Sequence, residues 1–321
     1  MKTANPKVSV LLSVYKPNPA WLKEQLISLN KQTYGNIELA VYDDCPSAPL
    51  DEEVLKQHIT AFPYTLIRGE KNIGSTASFA KLTEIAAGDY ISYCDQDDIW
   101  CEDKIERMVN VLSETSSPLV CSDMYIIDKD GNKTANSITE IRKRHIFYDG
   151  EGLAERLVLK NFVTGCALMI KSDIAKSALP FPNEFVHDEW LAICAALQGK
   201  IEVIREPLLG YRQHGKNQTG VLFGVFDKES YFSERILKYS ERTKVLKSRL
   251  YETSLREMLD GLTEFYSARE RYFRKASLSD MKIMLRYKKY GKSAVYLELL
   301  MKLMPKWLFK KVINGIKSGK L

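Results

Sequence analysis

The chain has 321 residues, 45% of them hydrophobic, which is enough to bury a full core in one large domain with an appendage or in two domains, and excludes intrinsic disorder. Its net charge of +6 is unevenly placed: 25 Lys and Arg stand against 32 Asp and Glu up to residue 230, hence −7, and 22 against 9 thereafter, hence +13. The tail therefore suits an anionic surface, lipid or nucleic acid, whereas the acidic first part argues against nucleic acid as the main substrate. Six cysteines without C-x-x-C or Cys/His spacing suggest neither a zinc site nor a disulfide framework, and fit reduced thiols in the cytosol.

The first apolar run, VSVLLSV (8–14), meets Lys16 and Pro17 at once and reads as a strand, not as a signal peptide or membrane span. A helix over 21–30, the strand IELAVYD (37–43), a helix over 51–59, the strand YTLIRG (64–69), a helix over 75–87 and the strand DYISYC (89–94) follow. This alternation predicts an α/β domain with a largely parallel sheet. Beyond Pro118, LVCSDMYIID and the DKDGNK turn (128–133) predict a hairpin, the charged IRKRH (141–145) leads to a helix over 152–160, and VTGCALMI (163–170) predicts a buried strand. A helix over 187–199 entered through Asp188, two short strands IEVI and LLGYR, and the polar loop QHGKNQTG complete this part. From about Ser230 the chain is helical and poor in glycine, ending in AVYLELLMKLMPKWLFKKVINGIK, where apolar clusters alternate with Lys302, Lys306, Lys310, Lys311 and Lys317. That pattern predicts an amphipathic helix pair broken at Pro305, which either lies on a membrane or packs on the catalytic domain or a second subunit.

Ligands of parallel sheets bind beyond the carboxyl ends of the strands, and the polar residues gather there: Ser13 and Tyr15, then Asp43 and Asp44, then Asp95 and Asp97. The cluster Asp95, Asp97 and Asp98 in CDQDDIW asks for a cation, because packed carboxylates raise each other's pKa unless something neutralises them. Carboxylate oxygens suit Mg²⁺ or Mn²⁺. The plainer reading is an acidic loop capping the next helix, and for Asp43 and Asp44 a turn before Pro46. A dinucleotide-binding domain is the rival within this fold class, but the turn YKPNPAW has no glycine, so G-x-G-x-x-G is absent, as is a P-loop.

Taken together in this order, VSVLLSVYK, YDDCPS, EKNIGS (70–75), CDQDDIW, HDEWLA and YRQHGKN resemble the inverting family 2 glycosyltransferases of the GT-A fold, over roughly residues 6–220. Within that family the wording is most similar to bacterial rhamnosyltransferases that build cell-wall rhamnan or O-antigen from dTDP-L-rhamnose. The resemblance implies a GT-A nucleotide-diphospho-sugar transferase fold, a Rossmann-like mixed sheet flanked by helices, in a catalytic domain over 1–225, followed by a basic helical region over 226–321 for membrane association or oligomerisation. Cys45 replaces the glycine usual in the family's DDGS, a change to the turn that removes neither carboxylate.

The resemblance also implies site residues. Asp95-Gln96-Asp97 corresponds to the D-x-D motif, with Asp97 the principal contact of a Mn²⁺ or Mg²⁺ ion, Asp95 on ribose or metal, and His214 reaching the metal or diphosphate. Asp44 accepts the N3–H of the base, Tyr15 lies on the base face, Ser13 helps to position it, and Asn72 with Lys71 favours phosphate. Asp188 matches the general base that takes the acceptor's proton, with Thr164, Glu189 and Trp190 shaping the acceptor site; a helix N-cap for Asp188 and a core position for Trp190 are the structural alternatives. The donor is then a nucleotide-diphospho-sugar, the acceptor a glycan or polyprenyl-diphosphate-linked glycan, and the place of work the cytoplasmic face of the cell membrane. A UDP-hexose donor is the alternative; a Mg²⁺-binding signalling domain is more remote, being shorter and leaving Asp188 and His214 idle, as is a nucleic-acid-binding protein, given the acidic first 230 residues.

Overall fold

A computed structural model describes residues 5–214, 224–291, 294–301 and 304–317. The chain divides into two compact units, Met1–Gly215 and Lys216–Leu321.

In the first unit, β1 (Val8–Val14), β2 (Ile37–Asp43), β3 (Tyr64–Arg68) and β4 (Tyr90–Cys94) are parallel in the order β3-β2-β1-β4. Between them run α1 (Pro19–Asn30), α2 (Glu53–His58) and α3 (Ser75–Ile85). A sheet covered on both faces needs continuous apolar strands, and β1 is buried along its length except for a half-buried Ser13. Asn18 starts α1 with its side chain accepting from the backbone N–H groups of Ala20 and Trp21, and Pro19 needs no such partner in the first turn. The register pairs Val14 with Asp43 and Leu12 with Cys94, so the ends of β1, β2 and β4 stand side by side on one edge.

The sheet continues through β5 (Ile99–Trp100), α4 (Lys104–Thr115), β6 (Leu119–Ile127), β7 (Lys133–Ala135), α5 (Ile138–Ile141), α6 (Ala154–Leu159), β8 (Leu168–Lys171), α7 (Ser172–Ser177), α8 (His187–Gln198) and β9 (Ile201–Arg212). The full order is β3-β2-β1-β4-β8-β6-β9-β5 with β7 on β6; β8 is antiparallel to β4 and β6, and β9 is parallel to β6. In α4 the buried Ile105, Met108, Val109 and Leu112 recur at helical spacing and face the sheet.

Three sequence expectations need correction. VTGCALMI is a strand only from Leu168; Gly165–Ala167 form a 3-10 turn, because Asp188 and Lys104 draw the Gly165 N–H and the Cys166 carbonyl away from any ladder. The strands IEVI and LLGYR are one strand, β9, whose slipped pairing around Ser122 and Asp123 of β6 accommodates the polar residues between them. The two-residue β5 was not visible as a strand, since Ile99 and Trp100 continue the acidic motif and gain their pairing from Gly210 and Leu209 far along the chain. The 128–133 hairpin is present as β6 and β7, while QHGKNQTG lies, beyond His214, outside the described residues.

The second unit is helical: α9 (Lys228–Tyr231) passes through a wide π turn at Phe232–Leu237 into α10 (Lys238–Leu250), then α11 (Arg256–Arg274), α12 (Leu278–Arg286), α13 (Lys288–Gly291), α14 (Ala294–Met301) and α15 (Lys306–Lys317). Its core joins Tyr231, Phe265, Phe273 and Met284 to Val295, Met301, Phe309 and Ile313, so the final pair of helices packs into its own unit along one face. Among the described residues no helix is long and apolar enough to cross a membrane.

Candidate active site

The site is built where parallel strands end. Asp44 follows β2, is 1% exposed, and anchors the loop after β3: its two carboxylate oxygens accept from the N–H groups of Ile73 and Gly74, both at 2.8 Å. Asn72, exposed on that loop, reaches the Asp44 carbonyl at 3.5 Å. Asp43 is used locally, accepting from the N–H groups of Cys45 and Leu50 and pairing with Arg68. Tyr15 follows β1 and is 44% exposed, while its backbone is clasped by the Gln96 amide, which accepts from Tyr15 N–H at 2.8 Å and donates to its carbonyl at 3.2 Å. Gln96, the middle residue of the D-x-D motif, thus ties the end of β1 to the acidic loop. The half-buried Ser13 lies beside this junction.

The three carboxylates after β4 have different surroundings. Asp97 Oδ2 stands 2.9 Å from His214 Nε2, with the Trp21 ring tilted against the imidazole at 4.9 Å. Two ligands at right angles, each about 2.1 Å from an octahedral Mg²⁺ or Mn²⁺, stand about 3 Å apart, so this pair fits one edge of such a site. Asp98 is fully buried; Oδ1 accepts from Arg212 N–H at 3.0 Å and Oδ2 has no hydrogen bond to an oxygen or nitrogen donor. Asp95, Asp98 and Cys166 bring one ligand atom each within 4.8 Å of one another, a second group that could hold an ion. Burial and then the charge of neighbouring carboxylates, Asp97 for Asp95 and both Asp95 and Asp97 for Asp98, push the Asp95 and Asp98 carboxyls above the usual range. The buried Lys104 stands behind them, donating to the Cys166 carbonyl at 2.8 Å, and burial brings its ammonium down to about 8. The buried Arg212 locks the wall, donating to the carbonyls of Asp97 and Asp128 and pairing with Glu24.

Asp188 sits in the first turn of α8, where Val186 is the cap residue. Its Oδ2 accepts from Gly165 N–H at 3.0 Å and its Oδ1 from Glu189 N–H at 2.6 Å. Burial, then the charge of Glu189, push its carboxyl up to about 7, against the two N–H groups, and Asp95 adds to the rise. A carboxylate so poised takes a proton near neutral pH. Thr164, half-buried, opens the turn before Gly165, and Glu189 is half-buried beside the base. Trp190 is a core residue: 2% exposed, it packs on Phe185 and donates its indole N–H to the Ala178 carbonyl. Asp98 belongs to the acidic cluster the sequence pointed to, whereas Gly165, Cys166 and the clasp made by Gln96 were missed; a glycine inside the apolar run VTGCALMI was the one available signal for the turn.

A sheet of this order, with carboxylates at the ends of β2 and β4 and a separate carboxylate on α8, is the GT-A fold of nucleotide-diphospho-sugar transferases. The profile of Glycosyl transferase family 2 matches residues 9–177, more than half of the chain, which therefore belongs to that family. An uncharacterized glycosyltransferase of Methanocaldococcus jannaschii is 28% identical over 213 residues, 64% of this chain and 71% of that protein. The amylovoran biosynthesis glycosyltransferase AmsB of Erwinia amylovora is 22% identical over 269 residues, 79% and 85% of the two chains. Among solved structures, S. aureus TarS 1–349 in complex with UDP-GlcNAc superposes with a TM-score of 0.60 at 13% identity, covering 98% of this chain and 92% of that one, a likeness of fold.

Proposed function

We infer that the chain is a metal-dependent inverting glycosyltransferase that transfers L-rhamnose from dTDP-L-rhamnose to a lipid-linked glycan in the synthesis of a bacterial surface polysaccharide. The observation that carries the reaction type is Asp188, a half-buried carboxylate held by two N–H groups and raised to about 7. It takes the proton of the acceptor hydroxyl as that oxygen attacks the anomeric carbon in line, opposite the departing nucleoside diphosphate. One displacement inverts the anomeric centre, so a β-linked donor gives an α-L-rhamnoside. Asp97 and His214 would hold the divalent ion with Asp95, and a Lewis acid at that place offsets charge on the leaving diphosphate. The Asp44 carboxylate retains lone pairs for a base N–H beside the two it already accepts, and the exposed Tyr15 ring offers the base a face. The motif wording supports rhamnose and the AmsB likeness supports polysaccharide synthesis. A UDP-hexose donor is the second reading, favoured by the complex of TarS with UDP-GlcNAc.

Asp97→Ala is expected to abolish the Mn²⁺-dependent part of the melting-temperature rise caused by dTDP-L-rhamnose or UDP-GlcNAc, because a ligand bound to the folded state alone raises that temperature. An undiminished Mn²⁺-dependent rise in this variant would remove Asp97 from the metal site.

The tail completes the proposal. The outer face of α15 carries Lys306, Trp307, Lys310 and Lys311, all exposed, with Trp307 at 68%. An aromatic ring among lysines suits the interface of an anionic bilayer, which supports work at the cytoplasmic face of the membrane on a lipid-linked acceptor. Replacing Lys310 and Lys311 by serine should weaken co-sedimentation with anionic vesicles by about fivefold per lysine, given about 1 kcal/mol per basic residue. Equal binding to zwitterionic vesicles, or none by the unchanged protein, would assign this face to another partner.

A further inference from the structure

We propose that His187 is a positioning residue for the base, its imidazole acting as a steric brace that holds the Gly165 backbone N–H against Asp188. This rests on the reading of Asp188 as the base.

His187 is 6% exposed at the start of α8, immediately before Asp188, and its ring lies 4.3 Å from Phe79 and 5.0 Å from Tyr93. Neither ring nitrogen has a hydrogen-bond partner, so what the imidazole supplies here is its shape. Burial also holds it well below the usual histidine range, to about 3, and so uncharged beside the base. One edge of the ring meets Gly165: a Cβ at that glycine would stand 2.5 Å from His187 Nε2 and 2.9 Å from Cε1, but an ordinary 3.7 Å from Asp188 Cβ.

The 3-10 turn Gly165–Ala167 is therefore fixed from three sides. Asp188 accepts from its first N–H, Lys104 donates to the carbonyl of Cys166, and the imidazole presses on the Gly165 backbone. Phe79 and Tyr93, from α3 and β4, hold the ring from behind. Removing the imidazole leaves the turn free to retreat from Asp188, and enlarging Gly165 forces it to. Either change moves the base relative to the acceptor oxygen, while Tyr15 and Asp44 on the nucleotide side keep their own hydrogen bonds to Gln96 and to the loop after β3.

The test is nucleoside diphosphate release from a nucleotide sugar with Mn²⁺, water standing in for the acceptor; dTDP-L-rhamnose and UDP-GlcNAc are both tried, and the one that gives release is used. Gly165→Ala and His187→Ala are each expected to lower kcat by roughly a hundredfold, the cost of about 1 Å of misplacement, with the donor KM unchanged. The double variant Gly165→Ala/His187→Ala should recover at least about tenfold over the poorer single variant, because the new methyl group occupies the space the imidazole leaves, a non-additivity that independent sites do not give. Melting temperatures show that each variant is folded, and should Gly165→Ala not fold, recovery of both folding and release in the double variant carries the same conclusion. A double variant no better than the poorer single one, or a donor KM that rises as kcat falls, overturns the brace alone. Absence of release by the unchanged protein with either donor contradicts the glycosyltransferase reading itself, and the brace with it.

Discussion

Asp188→Asn is expected to leave nucleotide-sugar affinity unchanged and to lower turnover by roughly 10²–10⁴-fold, the contribution of a positioned general base. The amide keeps the side chain's size and one acceptor for the N–H groups of Gly165 or Glu189, but has no basic lone pair for the acceptor's proton. In the unchanged protein kcat/KM should fall as pH drops below about 7, since the protonated carboxyl cannot act as a base and burial with Glu189 holds its pKa there. Glu189→Gln removes the second-largest cause of the rise and should move this limb to lower pH, whereas a variant that alters only substrate contacts leaves it in place. An Asp188→Asn protein with ordinary turnover, or a limb that does not move in Glu189→Gln, contradicts the assignment.

The largest expected effect on stability lies in the helical unit. Arg269 of α11 and Glu298 of α14 form a doubly hydrogen-bonded ion pair, 7% and 1% exposed, and Tyr231 of α9 donates to the same carboxylate at 2.7 Å. Glu298→Ala leaves the guanidinium buried without its counter-charge and should destabilise the protein by about 3–5 kcal/mol, read from urea unfolding of the full chain. Replacing both partners by apolar residues, Arg269→Met with Glu298→Leu, should cost far less, because no charge is left behind in the core. A single variant as stable as the double one would show that water reaches the pair and that the three helices are held by apolar packing alone.

The parallel half of the sheet was legible in the sequence because its strands are short, mainly apolar and β-branched runs separated by helical spacing, and the strand ends then mark Tyr15, Asp44 and Asp95 as neighbours on one edge. Asp188 was legible through its resemblance to a known motif. What was not legible depends on long-range partners. Gly165 joins a turn only because Asp188, 23 residues later, takes its N–H. The two residues of β5 pair with Leu209 and Gly210. Trp190 has the same place in HDEW whether it faces an acceptor or the core, and the Ala178 carbonyl that receives its N–H decides for the core. In the tail, alternating apolar and lysine residues are the pattern both of a helix on a membrane and of one packed on protein; Phe309 and Ile313 face the unit's own core while Trp307 and its neighbouring lysines face outward, so one helix answers to both descriptions.

The most direct test is the configuration of the first sugar released when the protein, with Mn²⁺, hydrolyses dTDP-β-L-rhamnose or UDP-α-GlcNAc, followed by proton NMR before the free sugar equilibrates. A single displacement assisted by Asp188 predicts α-L-rhamnose or β-GlcNAc as the initial product, and its loss in Asp188→Asn. Initial release with the donor's own configuration would contradict the account, since it requires a second displacement.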